Sequence, residues 1–248
     1  MNRIESYPQL TIDIVRWIKD YYFYNSIDSL VVGVSGGIDS AVVSTLCAET
    51  GLPTYALGMS IHQNPDQQLL SNDHLDWLSN EYENVTTYKF DLTSVFDLFR
   101  FTMDKEDLGN EDLANANTRS RLRMVTLYHV AGNVGGIIVG TGNKVEDYGI
   151  GFYTKYGDGG VDIAPIADLY KTEVWELGRH LRIDQRIIDA LPTDGLWDDG
   201  RNDEDQIGAT YEELEEAMEY RTGPAVDILD EYNRKNQHKM QPIPTFKL

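Results

Sequence analysis

A single cysteine, Cys47, is all the thiol the 248-residue chain has, so no internal disulfide can form and a reducing, cytoplasmic setting is expected. Positive charge is also scarce. Lys and Arg number 21 against 41 Asp and Glu, a net charge of −20. Such a surface repels nucleic acid, which excludes a polynucleotide partner, and it repels any polyphosphate that arrives without a cation. No apolar run approaches membrane-spanning length, and the stretch from Met1 to Pro8 is too polar for a signal peptide. The five histidines are scattered without metal-ligand spacing, so no zinc site is expected. There is no G-x-x-x-x-G-K-[ST] loop, no G-x-G-x-x-G and no internal repeat.

What the chain does have is Leu30-Val31-Val32-Gly33-Val34-Ser35-Gly36-Gly37-Ile38-Asp39-Ser40. An apolar strand runs into two glycines, and a helix begins at about Asp39. Backbone N–H groups around Gly36 and Gly37 can close on an anion there, with the helix dipole adding positive potential. Asp39 has two readings. It either caps the helix, or it holds a divalent cation that bridges it to a bound phosphate.

The rest of the chain alternates strands and helices, which predicts an α/β fold with a doubly wound parallel sheet covered by helices on both faces. Residues 9–24 read as an amphipathic helix whose closing aromatics, Tyr21 to Tyr24, belong to a core or interface. Strands are expected at Pro53–Ser60, Val85–Phe90 and Gly135–Gly140, with helices from Asn64 to Tyr82 and from Thr93. Cys47 lies among Val43, Leu46 and Ala48 with no neighbouring base, which makes it a packing residue rather than a nucleophile. One domain over 1–248 is predicted: an N-terminal helix at 9–24, a core at about 28–193, and an acidic loop with a helical tail at about 194–248.

Three stretches carry unusual chemistry. Arg119, Arg121 and Arg123 fall within five residues of so acidic a chain. They either neutralise the acid excess or form an anion site, with Arg119 and Arg123 sharing a helix face. The polar, glycine-rich segment from Thr141 to Asp162 is a functional connection after a strand, or else a solvated loop. Lys171 stands in the first turn of a helix for which Asp168 is the expected cap, against the preference for acids there. The acidic run containing Asp198, Asp199, Asp203, Glu204 and Asp205 reads as a flexible loop before a helix at Tyr211–Tyr220, and the tail carries Arg234, Lys235, His238 and Lys239.

The S-G-G-I-D-S loop after a first strand resembles the pyrophosphate-binding loop of the ATP pyrophosphatases, which have the adenine-nucleotide alpha-hydrolase fold. Four further blocks narrow this: Asn117-Thr118-Arg119-Ser120-Arg121-Leu122-Arg123, Gly140-Thr141 with Glu146, Thr154-Lys155-Tyr156-Gly157-Asp158-Gly159-Gly160-Val161-Asp162, and His238-Lys239. In this order the chain resembles the ammonia-dependent NAD synthetases over nearly its whole length. That resemblance implies a ligase that adenylylates the nicotinate carboxylate of deamido-NAD with ATP and then amidates it with ammonia, releasing AMP and pyrophosphate.

By the same resemblance, Gly33 and Ser35 to Ser40, with Ile38 at a variable position, would hold the ATP phosphates. Asp39 and Glu146 would be the ligands of Mg²⁺. Thr141, Lys155, Lys171 and Thr193 match positions that contact ATP, and Lys155 and Lys171 would neutralise developing phosphate charge. Arg121, Asp162, His238 and Lys239, with Lys155 again, match positions that bind deamido-NAD. Asp158 matches the acid that handles ammonium, and a homodimer is implied. The interval from Glu146 to Lys155 is one residue longer than the resemblance leads one to expect, so the loop carrying the metal ligand should differ in shape. Two rivals remain. Another amide-forming ATP pyrophosphatase, of the GMP or asparagine synthetase kind, would lack the T-K-Y-G-D-G-G-V-D string. A protein that binds ATP without chemistry would make no AMP.

Overall fold

The first strand, β1 (Ser29–Gly33), is buried on both faces, as the unbroken Leu30-Val31-Val32 run requires of a central parallel strand. A computed structural model describes residues 3–103, 109–197 and 200–247 of the chain. β1 pairs in parallel with β2 (Thr54–Ser60) on one side and with β4 (Gly136–Ile138) on the other, while β3 (Val85–Asp91) pairs with β2. The order is therefore β3-β2-β1-β4. The chain winds outward from β1 to β3 and then returns to the opposite side of β1. Ligands of such sheets bind where the order reverses, beyond the carboxyl ends of the strands. Here that place lies between the loops that follow β1 and β4.

Helices cover both faces. On one lie α1 (Tyr7–Tyr24), α2 (Ile38–Glu49), α3 (Pro65–Glu81) and α6 (Lys171–His180), packed through Ile18, Val42, Leu46, Leu75, Leu78 and Leu177 onto Leu30 and Val32. On the other lies α5 (Glu111–Val134), whose Met124, Leu127 and Ala131 meet Val31, Leu57 and Ile138. Alternate residues of β1 thus serve opposite layers, the doubly wound arrangement expected. Between α3 and α5 runs α4 (Thr93–Met103). Cys47 is fully buried and burial pushes its thiol up to about 12, which fits packing rather than nucleophilic chemistry.

After β4 the chain forms a π-helix (Lys144–Ile150), then the short α7 (Gln185–Ile188) and α8 (Asp203–Ile207) flank the 190–202 segment. A second core gathers around Tyr211, Leu214 and Leu229, from α9 (Tyr211–Tyr220) and α10 (Val226–Met240). Within the acidic run, Asp203 to Asp205 are helical rather than loop, because Asn202 caps α8 by accepting the Asp205 N–H. Asp198 and Asp199 lie outside the described residues.

One local expectation needs correction. Asp168 does not cap α6. The cap is Tyr170, whose backbone N–H donates to Glu173 Oε2 at 2.8 Å, and the Asp168 carboxylate pairs with Lys144 Nζ at 2.9 Å instead. Of the aromatics ending α1, Tyr21 and Tyr22 pack on the core, whereas Phe23 and Tyr24 are exposed.

His74 sets an acid limit on this fold. Its ring is buried, bonded through Nε2 to Ser44 Oγ at 2.9 Å and stacked on Trp77, and burial holds its pKa down to about 4 from 6.5. Below pH 6.5 the unfolded chain takes up a proton that the folded chain refuses. Stability is therefore lost as pH falls from 6.5 towards 4, by about 2–3 kcal/mol at pH 4.5. Urea midpoints at pH 7 and pH 4.5 should show this loss in the native chain and a smaller one in His74→Asn. Equal losses would remove His74 as the cause.

Candidate active site

The phosphate loop is built by glycine where geometry forbids anything else. Gly36 has φ of +93°, and a Cβ there would stand 2.5 Å from the carbonyl oxygen of Gln67 on α3. Serines brace the turn: Ser35 N donates to Ser40 Oγ at 3.1 Å, and Ser40 Oγ donates to Gly37 O at 3.0 Å. The N-cap of α2 is Gly37, which has no side chain to satisfy the first-turn amides of Ile38, Asp39 and Ser40. Those N–H groups and the dipole are what an anion would meet.

Asp39, in that first turn, does not cap the helix. Its carboxylate turns into the site, where Oδ1 accepts from Asn143 Nδ2 at 3.3 Å and Oδ2 from Lys171 Nζ at 2.5 Å. The same ammonium reaches Glu146 Oε1 at 3.0 Å. Burial opposes the charge on Lys171, but the two carboxylates outweigh it and hold the ammonium above its usual value. Burial likewise pushes Glu146 up, and Lys171 with the Tyr211 hydroxyl pulls it below the ordinary range.

Asp39 and Glu146 therefore converge on one cationic point through two hard oxygens. Two hard oxygens suit a divalent cation that takes its remaining ligands from phosphate and water. Among the described residues no group of three or more His, Cys, Asp or Glu gathers to hold a metal alone. The residues present fit a cation shared with a bound phosphate.

These groups open on a cavity of about 1290 Å³. Single small-molecule sites run to roughly 300–1,000 Å³, so there is room for more than one ligand. Gly33, Ser35 to Ser40, Arg121, Thr141, Glu146, Lys155, Asp158, Lys171, Thr193, His238 and Lys239 all line it. Asp162 does not. Its carboxylate accepts from Ile138 N at 2.7 Å and Tyr128 Oη at 3.0 Å, beside the end of β4.

At the far end of the cavity the basic tail meets the T-K-Y-G-D loop. Lys239 Nζ donates to Gly151 O and Tyr153 O at 2.6 and 2.8 Å, Lys155 Nζ to His238 O at 3.3 Å, and Arg121 Nε to Lys155 O at 3.2 Å. Arg123 is turned inward, on Met59 O and Gln63 Oε1, and burial pushes its pKa down to about 10. Arg119 Nη1 donates to Leu196 O.

Asp158 is held at one oxygen only. Oδ1 accepts from Ser120 Oγ at 2.6 Å and from Thr154 N at 3.0 Å, while Oδ2 has no hydrogen-bond donor among the described residues. Burial pushes this acid above the usual carboxylate range. An anionic oxygen left open to the cavity suits a small cation that must give up a proton.

Residues 144–150 form a π-helix, a wider turn than an α-helix makes. Asn143 caps it by accepting both Val145 N and Glu146 N, which fixes Glu146 opposite Asp39. It also lays the Asp147 carboxylate so close against Gly142 that no Cβ fits there. Burial, with Glu146, Asp158 and Asp39 nearby, raises Asp147 to about 8.

Residue patterns did not single out Asn143, Tyr211 or Asp203. Tyr211 is fully buried, its ring under Lys171 at 4.8 Å and its hydroxyl donating to Glu146 Oε1 at 2.8 Å. Asp203, raised by burial and by Glu146 to about 7, lies 3.3 Å from that hydroxyl. An Asp in an acidic run carries no compositional mark that separates it from its solvated neighbours.

Comparison with known proteins places this geometry. Residues 10–244 match the family described as NAD synthase. The NH(3)-dependent NAD(+) synthetase of Carboxydothermus hydrogenoformans is 37% identical over 238 residues, covering 94% of this chain and 95% of that one. Among solved structures, NMN synthetase from Francisella tularensis superposes with a TM-score of 0.90 at 31% identity, over 99% of this chain and 100% of that one. An NH3-dependent NAD synthetase from Campylobacter jejuni shares the fold with a TM-score of 0.77 at 24% identity, over 98% and 100% of the two chains.

Proposed function

The chain belongs to the NAD synthase family, and from that premise we propose that it joins ammonia to the nicotinate carboxylate of deamido-NAD in an ATP-driven ligation. The observation behind this is the convergence of Asp39 and Glu146 on one cationic point beside the α2 N-terminus, in a cavity that also holds the half-open Asp158.

A carboxylate is a poor electrophile, so the first step makes it a good one. Its oxygen bonds to the α-phosphorus of ATP, and the bond to pyrophosphate breaks. Ammonia then attacks the acyl carbon, and AMP leaves with the bonding electrons. Asp39 and Glu146 would hold Mg²⁺, which when bound shields the phosphate oxygens and the leaving pyrophosphate. The α2 amides and Lys171 complement the phosphate charge, since such donors act most strongly in a water-poor site. Thr141 and Thr193 would contact the nucleotide, and Arg121, Lys155, His238 and Lys239 the dinucleotide; all six line the cavity. Asp158 Oδ2 holds ammonium and accepts the proton that makes it nucleophilic.

A second reading shares every step but omits the adenylate half of the acceptor, converting nicotinate mononucleotide to its amide. The close superposition on the Francisella NMN synthetase favours it. One assay separates the readings. Mg-ATP and ammonium or glutamine are supplied with either deamido-NAD or nicotinate mononucleotide, and amide, AMP and pyrophosphate are followed together. Amide from deamido-NAD and ammonium, with equimolar AMP and the higher kcat/KM, is the expected result. A higher kcat/KM for the mononucleotide selects the second reading, and no AMP with either acceptor overturns both.

We assign a homodimer in the cytoplasm. Among the described residues no helix is long and apolar enough to cross a membrane. α4 and α5 expose the apolar side chains of Val95, Leu98, Phe101 and Val125 at 53, 67, 70 and 65%. A second copy of the chain is the proposed cover, and a monomer in sedimentation equilibrium would remove it.

A further inference from the structure

We propose that Asp203, acting through the hydroxyl of Tyr211, is a positioning residue that couples the 192–197 loop to the cation site at Asp39 and Glu146. The inference rests on the reading that those two carboxylates hold the divalent cation.

The Tyr211 hydroxyl lies between two acceptors, Glu146 Oε1 at 2.8 Å and Asp203 Oδ2 at 3.3 Å. It has one proton and can serve only one of them at a time. A phenol keeps its proton at neutral pH. Asp203 is itself 5% exposed and makes no ion pair among the described residues. Its free hydrogen-bonding capacity is directed at the loop instead. Oδ1 accepts the Asp194 N–H at 3.0 Å, and its own N–H donates to Pro192 O at 2.9 Å. The two bonds staple both sides of Thr193.

The far side of the loop is pinned to the phosphate loop's support. Arg119 Nη1 donates to Leu196 O. Gly195 approaches Gln63 and Gln67 so closely that a Cβ would lie 2.8 and 2.9 Å from their amides. Gln67 is the residue whose backbone oxygen closes on Gly36. A path of contacts therefore runs from the phosphate loop through α3, Gly195 and Asp194 to Asp203, and from there through Tyr211 to Glu146.

In this arrangement Glu146 Oε1 accepts from both Lys171 and Tyr211. A cation held by Glu146 would compete for those lone pairs. That would leave the Tyr211 proton to Asp203 and fix the carboxylate that staples Thr193. Loop order and cation binding share one proton, so each should strengthen the other.

The full chain carrying Tyr211→Phe, Asp203→Asn or both tests this, with the thermal midpoint as the folding control. Tyr211→Phe keeps the ring beneath Lys171. Mn²⁺ affinity is measured in the presence of a non-hydrolysable ATP analogue, and trypsin cleavage after Arg201 is followed with and without Mn²⁺. Each variant should weaken Mn²⁺ about tenfold, as loss of an outer-shell partner does. Each should also abolish the cation-dependent protection of Arg201, leave cation-free nucleotide affinity unchanged, and raise KM for Mg-ATP more than it lowers kcat. The double variant should be no worse than either single. Native Mn²⁺ affinity in the Phe variant, protection that survives, or losses that sum in the double variant would each overturn the proposal. If Asp203→Asn does not fold, Tyr211→Phe decides alone. None of the binding readouts needs turnover, so a native chain that makes no amide would remove the proposed reaction and leave this coupling standing.

Discussion

Lys171→Met should unfold at markedly lower urea than the native chain at neutral pH without divalent cation, by about 3–5 kcal/mol, because it strands two buried carboxylates. The native ammonium is 2.5 Å from Asp39 and 3.0 Å from Glu146, with Tyr211 beneath it. Two signatures distinguish this from a cavity effect. Millimolar Mg²⁺ should restore part of the loss by binding only the folded form. Adding Glu146→Gln should restore another part, since one carboxylate is easier to bury than two. Activity should fall by at least about 100-fold whatever the stability, as expected for loss of a charge aimed at the phosphates. A variant with native stability and no Mg²⁺ dependence would show that Asp39 and Glu146 do not need the cationic point between them.

Asp158→Asn should separate the two chemical steps. Exchange of labelled pyrophosphate into ATP in the presence of acceptor reports adenylylation and should stay within a few-fold of native. Amide formation should fall by about 100- to 10,000-fold, the span usual for loss of a proton-transfer group. The apparent KM for ammonium should rise, because Oδ2 is the oxygen left open. The pH dependence follows from burial, which raises the folded pKa of Asp158. As pH falls this acid protonates before an ordinary carboxylate would, so the native amidation rate should drop first on the acid side. The Asn variant should lack that limb and recover partially at alkaline pH, where free ammonia is more abundant. Equal loss of exchange and amidation would sink the role.

Much of this was legible in the residues, for reasons that differ from place to place. β1 announces itself because a strand buried on both faces must be apolar throughout, and the S-G-G turn after it because only glycine tolerates φ of +93° against α3. α9 begins and ends where its pattern places it, aided by Thr210 and Glu213, which bond reciprocally at its start. The boundaries of α6 were misjudged because Asp168 looks like a cap, yet tertiary structure sends its carboxylate to Lys144. The cap reading of Asp39 was equally open in sequence and is closed by a partner 132 residues away. Asp203 and Tyr211 were invisible for the same reason. What marks them is a shared proton inside a second core, and nothing local encodes that meeting. Asp162 shows the converse, a residue in the most specific motif whose carboxylate serves the end of β4.

The strand order carries a consequence in time. β1 must wait for β4, since Ser29 pairs with Gly136, and Asp39 must wait for Lys171. On a ribosome adding roughly 5–20 residues per second, about ten seconds separate synthesis of the phosphate loop from synthesis of its counter-ion. Until Gly136 is made the β1 edge that will receive β4 is bare, and until Lys171 is made the Asp39 carboxylate has no ammonium to pair with. Pairings this distant close late and slowly. The phosphate loop is thus among the first parts of the chain to emerge and among the last to become competent, and a nascent chain shorter than about 171 residues should bind no nucleotide.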